Sequence, residues 1–282
     1  MAMTTVSNEV KIGLTGEVVI IDWGDGAENE KRSDVKDEYF THTYPDASAR
    51  TITITGKNIT CLDCSSESGN RIKNKLTCLD VSKNPALTEL YCEGNLLTSL
   101  DVSRTIALKE LDCSDNQLTS LDVSHNSALT ILDCNENQLT SLNVSKNTML
   151  EVLNCTDNQL VILDVSKNTT LEELNCSQNQ ITSLDVTGAT ALTELFCGLN
   201  KLTSIDVSKN SMLRKLYCFQ NQLASIDVSK NTALEEWNWE DQNSSLPAGT
   251  ALNENLPNRY GEIERVLQNI VAAKRYFESL QN

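Results

Sequence analysis

Residues 118–138, LTSLDVSHNSALTILDCNENQ, define a unit of 21 residues that returns from Leu76, Leu97, Leu118, Leu139, Leu160, Ile181, Leu202 and Leu223. Eight copies follow one another in register with no internal insertion. A fixed period of this length marks a solenoid, in which each copy is one coil stacked on the next. The unit is itself nearly doubled. Leu118, Leu121, Val123 and Asn126 are echoed by Leu129, Leu132, Cys134 and Asn137, so each coil holds two similar half-turns.

Side chains alternate in SLDVS (120–124) and ILDCN (131–135), which puts Leu121, Val123, Leu132 and Cys134 on one face and their neighbours on the other. Each segment is expected to be a short strand with one apolar face. With Leu118 and Leu129 from the turns, a coil offers six apolar residues, too few to offset the entropy of ordering it alone. Stacked coils share hydrogen-bond ladders and one continuous core. Two asparagine columns, one running from Asn95 to Asn221 and one from Asn84 to Asn231, are expected to satisfy turn backbone groups left unpaired inside the stack.

The L-x-x-L-x-C-x-x-N pattern of Leu129 to Asn137 resembles a leucine-rich repeat, and its alternation with LTSLDVSKN is similar to the nested 21-residue type of surface proteins from gut anaerobes. The resemblance spans residues 58–240 and implies a β-rich solenoid, a right-handed leucine-rich repeat stack. It also implies a bacterial protein at the cell surface or outside the cell, with adhesion and protein binding as its business.

Residues 1–57 lie outside the repeat and are expected to be β: VVIIDWGDG (18–26) is a buried strand with a Gly-Asp-Gly turn, and TITITG (51–56) alternates cleanly. IDWGDG, His42 with Tyr44, and TITITG together resemble a PKD-like β-sandwich module, shorter than a full one, so that a strand is either missing or shared with the first coil. That family implies an adhesive or spacer role. Asp22 and Asp25 are expected to accept turn amides, and His42 to pack with Tyr44. Residues 59–75 hold an irregular half-coil with an insertion, SSESGNRIKNK, expected to bulge outward. At the other end, 241–256 is a polar connection, and from Pro257 an apolar stripe predicts a helix that caps the open stack.

A net charge of −16 argues against nucleic acid or an anionic membrane as partner, and no apolar run has the length of a membrane span. The amino terminus lacks the apolar core of a signal peptide, leaving either a cytoplasmic chain or a mature fragment as the expectation. Of ten cysteines, seven from Cys92 to Cys218 recur once per coil at an inward position and are expected to be small buried hydrophobes. Cys61 and Cys64 would face opposite sides of a strand and cannot easily share a zinc ion. The aspartate column that includes Asp122 has one carboxylate per coil, few oxygens for calcium, and a basic column from Lys83 to Lys230 beside it. No metal or cofactor is expected.

Two surfaces separate on the outward positions. Around LDVS they hardly vary: Ser120, Asp122 and Ser124 recur as Ser99, Asp101 and Ser103. On the other strand they vary from coil to coil, and Phe196, Tyr217 and Phe219 fall on adjacent coils with Glu194 and Lys215 beside them and Tyr91 in the same column. Such rings, facing out, are expected to bind a protein partner, a host or cell-surface protein; the other reading is that they pair across strands and stabilise the sheet. A glycan is the alternative ligand, and a structural spacer the alternative role. Catalysis is not expected, because there are only two histidines, neither near a nucleophile, and no phosphate-binding glycine loop.

Overall fold

The computed structural model describes residues 1–66, 73–240 and 242, all within the first of two compact units, Met1–Ser245. The second unit, Leu246–Asn282, lies outside the described residues, as do the tip of the insertion and most of the polar connection. The expected capping helix therefore falls outside them too, and no helix occurs among the described residues.

The repeat folds as a β-solenoid. One strand of each coil joins a parallel run: β5 (Cys61–Asp63), β7 (Glu89–Tyr91), β8 (Glu110–Asp112), β9 (Ile131–Asp133), β10 (Val152–Asn154), β12 (Glu173–Asn175), β14 (Glu194–Phe196), β15 (Lys215–Tyr217) and β16 (Glu236–Asn238). The register pairs equivalent positions, so Leu90 lies beside Leu111 and Leu132 beside Leu153. Leucine, valine and cysteine point into one core that runs from Met1 to Trp239. Trp237 continues the leucine position beside Leu216, and its ring stacks on Trp239.

The first four strands are β1 (Ala2–Thr5), β2 (Glu9–Asp22), β3 (Glu30–Thr43) and β4 (Arg50–Lys57). Residues Gly13–Thr15 of β2 pair with β5, and β1 pairs with β6 (Leu76–Asp80). The amino-terminal strands thus join the solenoid on both sides of its first coil, and β2 shares its strand edge with the repeat sheet. The free flank of β3 carries Lys31, Arg32, Lys36 and Glu38, and Asp34 and Asp37 take left-handed φ values of 54° and 47°, features that blunt an edge against further pairing.

The first asparagine column binds each coil to the one before. Asn137 accepts from Leu118 N at 2.9 Å and donates through Nδ2 to the carbonyls of Cys113, Cys134 and Asn135. At the far end Gln242 takes the same position, accepting from Leu223 N and donating to Cys218 O and Trp239 O. At the near end the insertion displaces the expected residue, and Asn74 supplies the rung instead. It donates to Cys64 O and Ser65 O and exchanges two bonds with the backbone of Lys11, so β2 stands in for a preceding coil.

The second column does less. Asn126 and Asn147 donate to carbonyls of the preceding coil, among them Val102 O and Val123 O, but their buried Oδ1 atoms accept nothing. This corrects the expectation that SLDVS is a strand in every coil. Neighbouring segments on this side pair only as β11 (Ile162–Asp164) with β13 (Ser183–Asp185) and at one bridge, Asp80 with Asp101. At those two places the later coil lacks the asparagine. The Thr105 hydroxyl bonds Val102 O of its own coil, and Ala189 has no side-chain donor; there Val165 N reaches Asp185 O, and Gly188 approaches Ser166 so closely that a Cβ would lie 1.8 Å from its carbonyl oxygen. Asparagine side chains and strand pairing are alternative ways to satisfy the same backbone.

Candidate recognition face

The parallel strands carry the variable columns on their outer face. With strands ~4.8 Å apart, equivalent side chains lie against one another, and several are buried although they point away from the core: Glu110, Asp112, Ile131, Asp133, Val152 and Asn154 among them. Buried carboxylates here have partners. Asp112 Oδ1 accepts from both the amide and hydroxyl of Ser114, and Asp133 Oδ2 accepts from Asn154 Nδ2.

The aromatic group at coils six and seven is a layered stack rather than three exposed rings. Phe196 is only 3% exposed, because Tyr217 of the next coil lies over it with centroids 5.2 Å apart and planes 20° from parallel. This corrects the expectation that Phe196 faces solvent: stacked strands bring the two rings to van der Waals distance, so one covers the other. Tyr217 and Phe219 are half-buried. Phe219 settles over Gly198, where an added Cβ would lie 2.6 Å from its ring. Lys215 Nζ bonds Glu194 Oε1 at 2.8 Å beside the stack. Sheet stabilisation and an available outer layer coexist at this spot.

Tyr91, the remaining expected site residue, stands far from that stack and is half-buried, with its hydroxyl donating to Glu110 Oε2 at 2.6 Å. Tyr217 donates likewise to Glu236 Oε2 in the next coil. What sequence reasoning missed is the first rung of the face, supplied by β2 and β3: Tyr39 donates to Asp63 Oδ2, and Lys11 Nζ sits 4.0 Å from the Tyr39 ring centroid. Gly13 makes that placement feasible, since a Cβ there would lie 2.8 Å from the ring. Its only sequence signal was the alternation of β2.

Elsewhere the polar residues serve local structure. Asp22 and Asp25 accept from Gly24 N and Ala27 N, as expected of turn carboxylates. His42 meets Tyr44 edge-on, and it also stacks flat on Trp23 and bonds Asp25 Oδ2 at 2.7 Å. The Ala27 amide, and secondarily His42, hold the Asp25 carboxyl below its ordinary range. In the aspartate column each Oδ1 accepts from the residue two positions on, as Asp122 does from Ser124 N. The column cysteines are fully buried, with burial pushing the thiol of Cys176 up to about 12, while Cys64 Sγ donates to Tyr91 O. Cys61 is half-buried. Among the described residues no group of three or more ligating side chains could hold a metal ion, and no helix is long and apolar enough to cross a membrane.

Solved structures place this architecture among leucine-rich repeat proteins. A leucine-rich repeat protein of Leptospira interrogans is 27% identical over 59% of this chain and 46% of its own, with a TM-score of 0.55. The leucine-rich repeat ectodomain of a plant receptor kinase of Arabidopsis thaliana, in complex with a Casparian strip integrity factor, shares the fold at 23% identity and a TM-score of 0.53, over 61% of this chain and 24% of its own. The functional domain of InlJ from Listeria monocytogenes, which includes a cysteine ladder, is 30% identical over 65% of this chain and 54% of its own, with a TM-score of 0.39. The chain thus spans about half the length of the two bacterial proteins. The LVIVD repeat family matches residues 155–175, one coil's length. No curated protein sequence matches.

Proposed function

We propose that this chain is a non-enzymatic recognition module of a cell-surface or secreted protein, and that it binds a protein partner through the outer face of its parallel strands. The observation that carries this reading is the contrast between two faces built from one repeat. Around LDVS the outward residues repeat, with each Asp or Asn accepting from the amide two residues on, whereas on the strand face they change from coil to coil with no change in the backbone. A surface whose side chains vary on a constant scaffold suits selection by a ligand. Tyr217, Phe219, Glu194, Lys215 and Tyr91 are the residues assigned to contact, with Phe196 as the ring that supports Tyr217. Rigid rings bring contact area at little cost in entropy.

The test is a binding screen of the purified chain against panels of extracellular proteins and soluble glycans, beside a Tyr217→Ala, Phe219→Ala variant shown by circular dichroism to be folded. A protein hit weakened at least tenfold in the variant supports the reading. A hit only among glycans, or a protein hit that the variant keeps, overturns it.

A further inference from the structure

Summed over the stack, charge is divided unequally between the two halves of the coils, although the strand half of coil seven carries only the cations Arg214 and Lys215. The strand halves, from 60–66 through 88–96 to 235–240, hold sixteen Asp and Glu against four Lys and Arg, all outward or at the rim. The opposite halves, from 76–87 to 223–234, hold seven acidic and six basic residues. Most of the net charge of −16 therefore sits on one face. Two of its four cations are already engaged with carboxylates, Lys215 with Glu194 and Arg214 with Glu235.

The chain's own lysines show how the face receives a cation. At its first rung Lys11 lies on the Tyr39 ring, whose hydroxyl bonds Asp63; beside the aromatic stack Lys215 bonds Glu194. At the first place an ammonium group lies over a ring and at the second it meets a carboxylate, so the face holds cations both by cation–π contact and by Coulomb attraction. Tyr39 is 52% exposed, so its site remains open to solvent on one side. An excess of carboxylates one strand spacing apart also repels itself, and an incoming cation relieves that repulsion.

From this we infer that the partner of the strand face presents a lysine- or arginine-rich protein segment, laid along the columns across several coils. The inference rests on the protein-binding reading above and adds the chemistry of the partner. A polyanion such as nucleic acid, or an anionic membrane, is the wrong charge for this face.

The probe is a fluorescent peptide of alternating lysine and glycine, followed by anisotropy over a salt series, with a glutamate and glycine peptide as comparison. Two variants remove equal charge: Glu89→Gln, Glu93→Gln, Glu151→Gln, Glu172→Gln on the strand half, and Asp101→Asn, Asp122→Asn, Asp206→Asn, Asp227→Asn on the opposite half. The second set is tolerated, since Asn143 already fills that column and accepts from Ser145 N. The lysine peptide is expected to bind with affinity that falls as salt rises, weakened about tenfold in the strand-half variant and less than twofold in the other. Equal loss in both variants, or no binding of the lysine peptide, overturns the inference. In the protein screen, a hit lost with Tyr217→Ala, Phe219→Ala but indifferent to salt and to the four glutamine changes overturns the cationic partner while leaving protein binding intact. Absence of any protein hit removes both.

Discussion

Asn137→Ala and Asn147→Ala delete the same side chain from the two columns in adjacent coils, both at sites fully or nearly buried. At Asn137 the change strands a buried amide, Leu118 N, and removes one donor from Cys113 O, Cys134 O and Asn135 O. The three carbonyls keep other donors, Asn116 Nδ2, Asn158 Nδ2 and Asp115 N, so the buried amide is the group left unsatisfied and the cost is about 1–3 kcal/mol. At Asn147 two donated bonds are lost, to Val123 O and Asn126 O, but a buried oxygen without a partner disappears with them. Ala189 shows, moreover, that adjoining segments can pair as strands once the asparagine is gone. The net cost at Asn147 should be about 0–2 kcal/mol. Urea unfolding followed by circular dichroism, with amide exchange of Leu118 to localise the damage, measures both. Equal destabilisation would refute the argument that the first column holds the coils together and the second merely replaces strand pairing.

Asn74→Ala should cost about 1–3 kcal/mol and raise amide exchange at Lys11 before it affects distant coils, because that side chain ties β2 to the first coil; unchanged exchange at Lys11 would contradict this. Leu199 holds a left-handed φ of 54°, where the equivalent positions carry mostly polar residues such as Asp115 and Asp157, so Leu199→Asn should stabilise by roughly 0.5–1 kcal/mol, seen as a higher urea midpoint. Under native conditions a maleimide read by mass spectrometry should label exposed Cys78 first and Cys61 slowly, while the column thiols, buried and shifted upward, should wait for unfolding. Asp101, Asp122, Asp206 and Asp227 have folded pKa values lowered by the serine two residues on, chiefly by its hydroxyl at Asp101 and Asp206 and by its amide at Asp122 and Asp227. Their contribution is full above the unfolded value of about 3.9 and is lost as pH falls below it through the folded values. The four-asparagine variant named above should therefore lose less stability on acidification than the parent, and an equal loss would refute the linkage.

How far the residues alone carried the fold depends on the range of the interaction. Leu118, Leu121, Val123 and Cys134 point inward as their alternation requires, and Asn95 to Asn221 form the expected ladder, because a periodic sequence stacked in register makes each contact a copy of its neighbour. Asp22, Asp25 and the aspartate column were legible for a related reason: a carboxylate that accepts from an amide two residues away needs no tertiary structure to find it. Phe196 was misjudged because period two says only that a side chain points outward; whether a ring from the next coil then covers it depends on the shapes of both.

The 21-residue repeat by itself determined a solenoid, its core, and the division into a constant and a variable face, since all three follow from periodicity and from the entropy that no single coil can overcome. Only the tertiary structure decided where the stack begins and which half of a coil pairs as strands. Asn74 joins a β2 backbone more than sixty residues earlier in the chain, and β11 pairs with β13 where Ala189 brings no side-chain donor to the coil before it. Both depend on hydrogen bonds between groups remote in sequence, where competing partners are equivalent on paper and distance alone selects among them.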